Sequence, residues 1–135
     1  MKTIHKIAAV VIENNEFLMV RKTGKDIWTS LGGKPEGNET EEEALLREIK
    51  EEFNCDATIV RKLGDFSAKA VFDDATVVLS TYLTELHGEI DLSGDPELEE
   101  YRFIPASYKE EGIKLPSSIE EQIIPFCIQE GLLEW

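Results

Sequence analysis

Cysteine, histidine, basic residues and long apolar runs are all scarce in this chain, and each shortage removes a class of function. The two cysteines, Cys55 and Cys127, are too few and too far apart for a disulfide framework or a zinc knuckle. The expectation is a cytoplasmic protein with reduced thiols. The two histidines, His5 and His87, are too isolated to support a His-based site. No apolar run approaches the ~20 residues of a membrane span. The opening Met1-Lys2-Thr3-Ile4-His5-Lys6-Ile7 lacks the apolar core of a signal peptide. No P-loop, HExxH, EF-hand loop or GxGxxG is present, and there is no internal repeat or linker. Lys and Arg number 14 against 28 Asp and Glu, a formal charge of −14. Such a surface repels polyanions, which argues against long nucleic acid as a partner. A phosphorylated small molecule stays compatible if divalent cations bridge it to carboxylates.

What is present describes one domain, residues 1–135, with 41% hydrophobic residues to fill a core. Ile7 to Ile12 and Phe17 to Val20 read as two strands, joined by a hairpin at Asn14-Asn15, since Asn tolerates positive φ. A Gly-rich loop follows from Thr23 to Asn38, with Trp28 inside it. Thr40 and Glu43 form a capping box, and Ala44, Leu45, Leu46, Ile49 and Phe53 recur at helical spacing. Asn54 is placed to close that helix in a left-handed conformation. Strands are predicted over Ala57–Lys69, Thr76–Leu86 and Tyr101–Ile104. A second capping box, Ser118 with Glu121, predicts a C-terminal helix that Pro125 should kink. The order predicts an α+β protein, an α/β/α sandwich with a mixed sheet between helices.

The first helix carries unusual charge. With Glu48 at 0° on a helical wheel, Glu52 falls near 40° and Glu51 near −60°, at about 100° per residue. The apolar set Leu45, Leu46, Ile49 and Phe53 spans roughly 60° to 160°, so the helix can bury one face and aim three carboxylates elsewhere. Three acids a turn apart repel one another unless a cation sits between them, and hard oxygen ligands suit Mg²⁺ or Mn²⁺. Runs such as Glu41-Glu42-Glu43 are in most proteins solvated helix surface. On the acids alone, that bland reading is the stronger one.

The spacing around those acids changes the balance. Gly33, Glu39 and Arg47-Glu48-Ile49-Lys50-Glu51-Glu52, followed at one remove by Asn54-Cys55, resemble the Nudix box, GX5EX7REUXEEXGU with U apolar. Every charged position matches. Trp28 and Gly32-Gly33 resemble the usual lead-in, and Glu97 to Phe103 resembles a weaker pattern of acids before an aromatic strand. The likeness runs from about Ile4 to Ile104, with its specific part at residues 28 to 55. Asn54 departs from the box's Gly, Leu31 stands where Pro often precedes the glycines, and Gly37-Asn38 reverses a usual order. None of these removes a ligand.

The resemblance implies a role for each matching residue. Glu48, Glu51 and Glu52 would ligate Mg²⁺ or Mn²⁺, with the Gly33 carbonyl as a further ligand. Glu48, or Glu97 or Glu100 outside the box, would be the general base on water. Arg47 and Glu39 would pair and hold the loop to the helix, though an ordinary surface ion pair fits them equally. Arg21 and Lys34 are candidates to touch phosphate, against a plain reading as solvated cations. Phe17, Trp28, Phe66, Phe72 and Tyr82 are candidates to stack on a base, with core packing the stronger reading for each.

The implied activity is hydrolysis of a phosphoanhydride in a nucleoside diphosphate-linked substrate. The expected substrate is a nucleoside triphosphate, oxidised or otherwise non-standard, cleaved to monophosphate and pyrophosphate. Nucleotide sugars and dinucleoside polyphosphates are the alternatives, and a compact domain leaves room for a homodimer that binds across its interface. A Nudix-fold binding module without catalysis is disfavoured by the intact Arg47-Glu48 and Glu51-Glu52. An isoprenoid diphosphate isomerase is disfavoured by the short chain and by the lack of a loop Cys with a clear base. An acidic interaction protein leaves the spacing from Gly33 to Cys55 unexplained.

Overall fold

The computed structural model describes residues 2–70 and 74–135. Its elements are β1 (Lys2–Val10), β2 (Ile12–Glu13), β3 (Glu16–Lys22), β4 (Trp28–Thr29), β5 (Leu31–Gly33), α1 (Glu41–Phe53), β6 (Asp56–Lys69), β7 (Ala75–His87) and β8 (Leu98–Ile104). A π-helical turn, Ser118–Ile123, then runs into α2 (Ile124–Gln129). One mixed sheet has the order β5-β1-β7-β6, with β1 parallel to β7 and its other pairings antiparallel. A second, antiparallel sheet is built on β3, which pairs with β2, β4 and β8.

Alternation along β1 sends side chains to two cores. Ala8 and Val10 meet Ile119, Ile123, Ile124 and Cys127 from the C-terminal segment, whereas Ile7, Ala9 and Val11 meet Ala44, Leu45, Ile49 and Phe53 of α1. The sheets therefore lie between the two helical layers, the expected sandwich, with a second sheet that the sequence reading did not separate.

Local signals explain most boundaries. Asn14 and Asn15 both take positive φ, as the tight β2–β3 turn requires. Thr40 Oγ1 accepts from the Glu43 amide and Glu43 Oε1 accepts from the Thr40 amide, so the capping box starts α1. Asn54 ends the helix at φ 51°. Asn54→Ala is expected to cost about 1 kcal/mol in urea unfolding, the usual penalty for a Cβ in the left-handed region, while Asn54→Gly leaves stability near wild type.

Two expectations are corrected. The loop from Thr23 to Asn38 contains β4 and β5, because Trp28 and Thr29 pair with β3 and Leu31–Gly33 pair with β1. Ser118 caps nothing. Ser117 before it is already helical, at φ −59° and ψ −34°, and the Ile119 and Glu120 amides bond to the Pro116 carbonyl, so the turn begins upstream. An N-cap needs extended backbone, which Ser118 does not have. The wide π winding gives way to α at Ile124, next to Pro125, whose missing N–H cannot serve an α-helical ladder.

Candidate active site

The acids of α1 do not point away from the buried face. Ala44 lies near −40° on the wheel and Leu45 near 60°, so Glu48 and Glu52 fall between them, at about 0° and 40°. Ala44, Leu45, Ile49 and Phe53 are buried, and Leu46 is exposed. The apolar stripe is thus interrupted by two carboxylates that enter the protein, and the expected separation of faces is corrected. Glu51, further round the helix, is exposed.

Glu52 is strongly perturbed. Burial is the main force pushing its pKa up to about 8; the Glu48 and Asp95 charges add to it, while a Gly32 backbone hydrogen bond and Lys22 oppose it. Among the described residues, Oε1 of Glu52 is the buried side-chain oxygen left without a hydrogen-bond partner. An ionised, under-coordinated carboxylate in the interior is costly unless something cationic meets it.

Glu48 lies against the β5 backbone. A Cβ built on Gly33 would stand 2.5 Å from both Cδ and Oε1 of Glu48, so only glycine admits the carboxylate there. Burial raises the Glu48 pKa, and the adjacent Arg47 guanidinium pulls the other way. Arg47 gathers the rest. Its Nε donates to Glu39 Oε2 at 2.7 Å and its Nη2 to Glu39 Oε1 at 3.0 Å. Nη1 donates to Glu48 and Glu51 at 3.2 Å, and Nη2 also reaches the Lys34 carbonyl at 3.2 Å. This two-pronged grip on Glu39 ties the loop before α1 to the helix, a geometry that suits a guanidinium and not an ammonium.

A cleft opens between the sheets, with Glu52, Gly32 and Gly33 on its wall and Lys6, Lys22 and Lys69 among its lining. The cleft is open to solvent and encloses about 130 Å³. Ala68, Val77, Leu79 and Leu98 supply apolar wall. In a chain with twice as many acids as bases, three lysines line this one cleft.

Other candidates lie elsewhere. Arg21 donates from Nε to Glu100 at 2.9 Å, pairs with Glu99, and stands 5.8 Å from the Trp28 ring centre. Arg21 and Glu100 oppose each other across β3 and β8, and neither lines the cleft. Lys34 is exposed at the loop that Arg47 holds, and Glu97 is exposed ahead of β8.

The aromatic candidates went to packing. Phe17 and Trp28 are buried in the core, Tyr82 is buried with its hydroxyl on Glu41, and Phe66 packs edge-on against Phe126 at 5.5 Å. Phe72 lies outside the described residues. The sequence reading missed Lys6, Lys22, Lys69 and Asp95. Lys22 lines the cleft beside Val20, past a register shift in β3 that local alternation does not foretell.

The model of the family described as NUDIX domain matches residues 3–112. The chain belongs to the Nudix family. Its similar relatives include an 8-oxo-dGTP diphosphatase of Proteus vulgaris, 37% identical over 95 residues, which are 66% of this chain and 83% of that protein. A CTP pyrophosphohydrolase of Escherichia coli K12 is 32% identical over 63 residues, 44% of this chain and 47% of the relative. The crystal structure of a MutT protein from Methanosarcina mazei Go1 superposes with a TM-score of 0.72 at 20% identity, over 96% of each chain, a likeness of fold. Nudix enzymes generally need divalent cations. Two features of the site would suit one, an orphaned buried carboxylate oxygen and a second carboxylate seated against Gly33, although no three Asp, Glu, His or Cys side chains among the described residues are already grouped to hold an ion. No helix among the described residues is long and apolar enough to cross a membrane.

Proposed function

We propose that this Nudix chain hydrolyses nucleoside triphosphates, oxidised or otherwise non-standard ones foremost, to the monophosphate and pyrophosphate, and that it uses Mg²⁺ or Mn²⁺ to do so. The observation that carries this reading is the buried, unpartnered Glu52 oxygen on the wall of a lysine-lined cleft. Glu48, Glu51, Glu52 and the Gly33 carbonyl would hold the cations. When bound, the ions would neutralise phosphate charge and lower the pKa of the attacking water.

The chain's own residues supply the rest. Lys6, Lys22 and Lys69 attract the polyphosphate into the cleft, where low dielectric strengthens each contact. The apolar wall of Ala68, Val77 and Leu79 excludes water from the nucleoside end. Glu48, whose raised pKa improves its match to a water proton, serves as the general base. Arg47 and Glu39 hold the loop and helix in register around the carboxylates.

The relatives named above act, by name, on 8-oxo-dGTP and on CTP, which supports the triphosphate over a sugar nucleotide. The test is a substrate panel with Mg²⁺ and separated products. Pyrophosphate should appear from triphosphates at the highest kcat/KM. Orthophosphate as the inorganic product, or turnover of nucleotide sugars or dinucleoside polyphosphates alone, would reject the substrate while leaving the family.

A further inference from the structure

Four polar groups converge on a carboxylate at the end of α1 remote from Glu52. Glu41 opens the helix. Its Oε1 accepts from the Tyr82 hydroxyl at 2.6 Å and from Lys62 Nζ at 3.3 Å. Its Oε2 accepts from Ser80 Oγ at 2.7 Å, and His5 Nε2 stands 3.1 Å away. These partners come from three strands, β1, β6 and β7. Asp65 of β6 closes the cluster, 2.9 Å from Ser80 Oγ and 3.1 Å from Lys62 Nζ. Ser80 has one proton, so it donates to Glu41 or to Asp65 at any instant, and its second contact at 2.7 Å is the His5 ring nitrogen. Glu41 is therefore not the solvated surface that the run Glu41-Glu42-Glu43 suggested, whereas Glu42 and Glu43 are exposed.

Glu41, Glu48 and Glu52 share one stripe of the helix, within about 40° on the wheel. Along the axis, Glu41 precedes Glu48 by about 10 Å and Glu52 by about 16 Å. Apart from the Arg47 bonds to Glu39 and the Lys34 carbonyl, the remaining seat of the helix is apolar, through Ala44, Leu45, Ile49 and Phe53. Apolar burial is non-directional and fixes sliding and rolling of a helix weakly. Short hydrogen bonds from buried hydroxyls on a sheet fix both. Ser80 and Tyr82 are buried polar groups under the helix, where apolar side chains would serve stability alone.

We propose that Glu41 is a positioning residue of α1: its bonds to Ser80, Tyr82, Lys62 and His5 set the axial position and roll of the helix, and thereby the depth at which Glu52 enters the cleft and the seat of Glu48 against Gly33. The inference rests on the metal-dependent reading of that cleft. It does not place Glu41 in contact with substrate or cation.

The test combines Mn²⁺ binding, read by electron paramagnetic resonance of the free ion, with steady-state kinetics. Glu41→Gln and Tyr82→Phe should each weaken Mn²⁺ binding about tenfold, as loss of outer supports does at metal sites. Each should also lower kcat by about 10- to 100-fold, with nucleotide KM within about twofold, because helix displacement misplaces the reacting groups. The double variant should lose less than the two single losses combined, since Tyr82 acts on the helix through Glu41. Glu42→Gln, which removes a charge from the same helical turn, should match wild type in both readouts. Tyr82→Phe deletes a single hydroxyl and keeps the test open if Glu41→Gln folds poorly. Wild-type Mn²⁺ affinity and kcat in both variants would overturn the inference, as would an equal loss in Glu42→Gln, which would assign the effect to the helix dipole. A wild-type chain that turns over substrate while these variants do the same leaves the function and removes the positioning role; a wild-type chain that binds no Mn²⁺ overturns both.

Discussion

Glu52→Gln should destroy turnover and, without metal, make the protein more stable. The variant keeps the shape of Glu52 and removes its charge. If Glu52 supports about 4 kcal/mol of charge stabilisation in the transition state, kcat falls by about 10³-fold. The stability gain follows from pKa. Burial, reinforced by Glu48 and Asp95, lifts Glu52 to about 8 in the folded chain, whereas an unfolded chain ionises it near the ordinary carboxylate value. The folded state thus holds a proton that the unfolded state releases. Stability of the metal-free wild type is fully present at acid pH and is lost as pH rises towards 8, by about 1.4 kcal/mol per pH unit crossed. Burial shifts Glu48 in the same direction. Glu52→Gln escapes its share of that loss, so its metal-free melting temperature should exceed wild type at pH 8 and converge with it below pH 5. Equal melting curves at pH 8, with turnover retained, would make Glu52 an ordinary half-buried acid.

Gly33→Ala should be nearly as damaging to activity while sparing the fold. The added methyl would overlap the Glu48 carboxylate at 2.5 Å. Glu48 is the far end of a flexible side chain, so it can swing away without breaking β5 from β1. Folding stability should therefore change by less than about 1 kcal/mol. The displaced carboxylate leaves its place by an ångström or more, which costs on the order of 10² in kcat. Circular dichroism melts paired with initial rates separate the two effects. A variant that is as active as wild type would show that the close approach of Glu48 to Gly33 has no part in the reaction.

The sequence disclosed what is local. Thr40, Glu43 and Asn54 bracket α1 because capping chemistry sits within a few residues of the helix ends. The spacing from Gly33 to Cys55 singled out the acids because it fixes identities as well as periodicity. Non-local pairing was less legible. Whether Arg21 or its neighbour Lys22 faces the cleft depends on how β3 pairs with β8, over 70 residues away, across an irregularity in register between those two residues. Glu41 read as surface because its partners arrive from β1, β6 and β7. The aromatic residues offered no directional cue, and the cores claimed Phe17, Trp28 and Tyr82. Ser118 and Glu121 matched a capping pattern, yet the backbone had already turned helical at Ser117.

The central claim is that the acids buried by α1 exist to meet divalent cations, and Mg²⁺ titration by calorimetry tests it most directly. Run at pH 7 in buffers of different ionisation enthalpy, it reads affinity and proton release together. Wild type should bind Mg²⁺ and release close to one proton from Glu52 for each binding event, and Glu52→Gln should bind at least tenfold more weakly and release none. Identical isotherms and identical proton release for the two proteins would contradict the account.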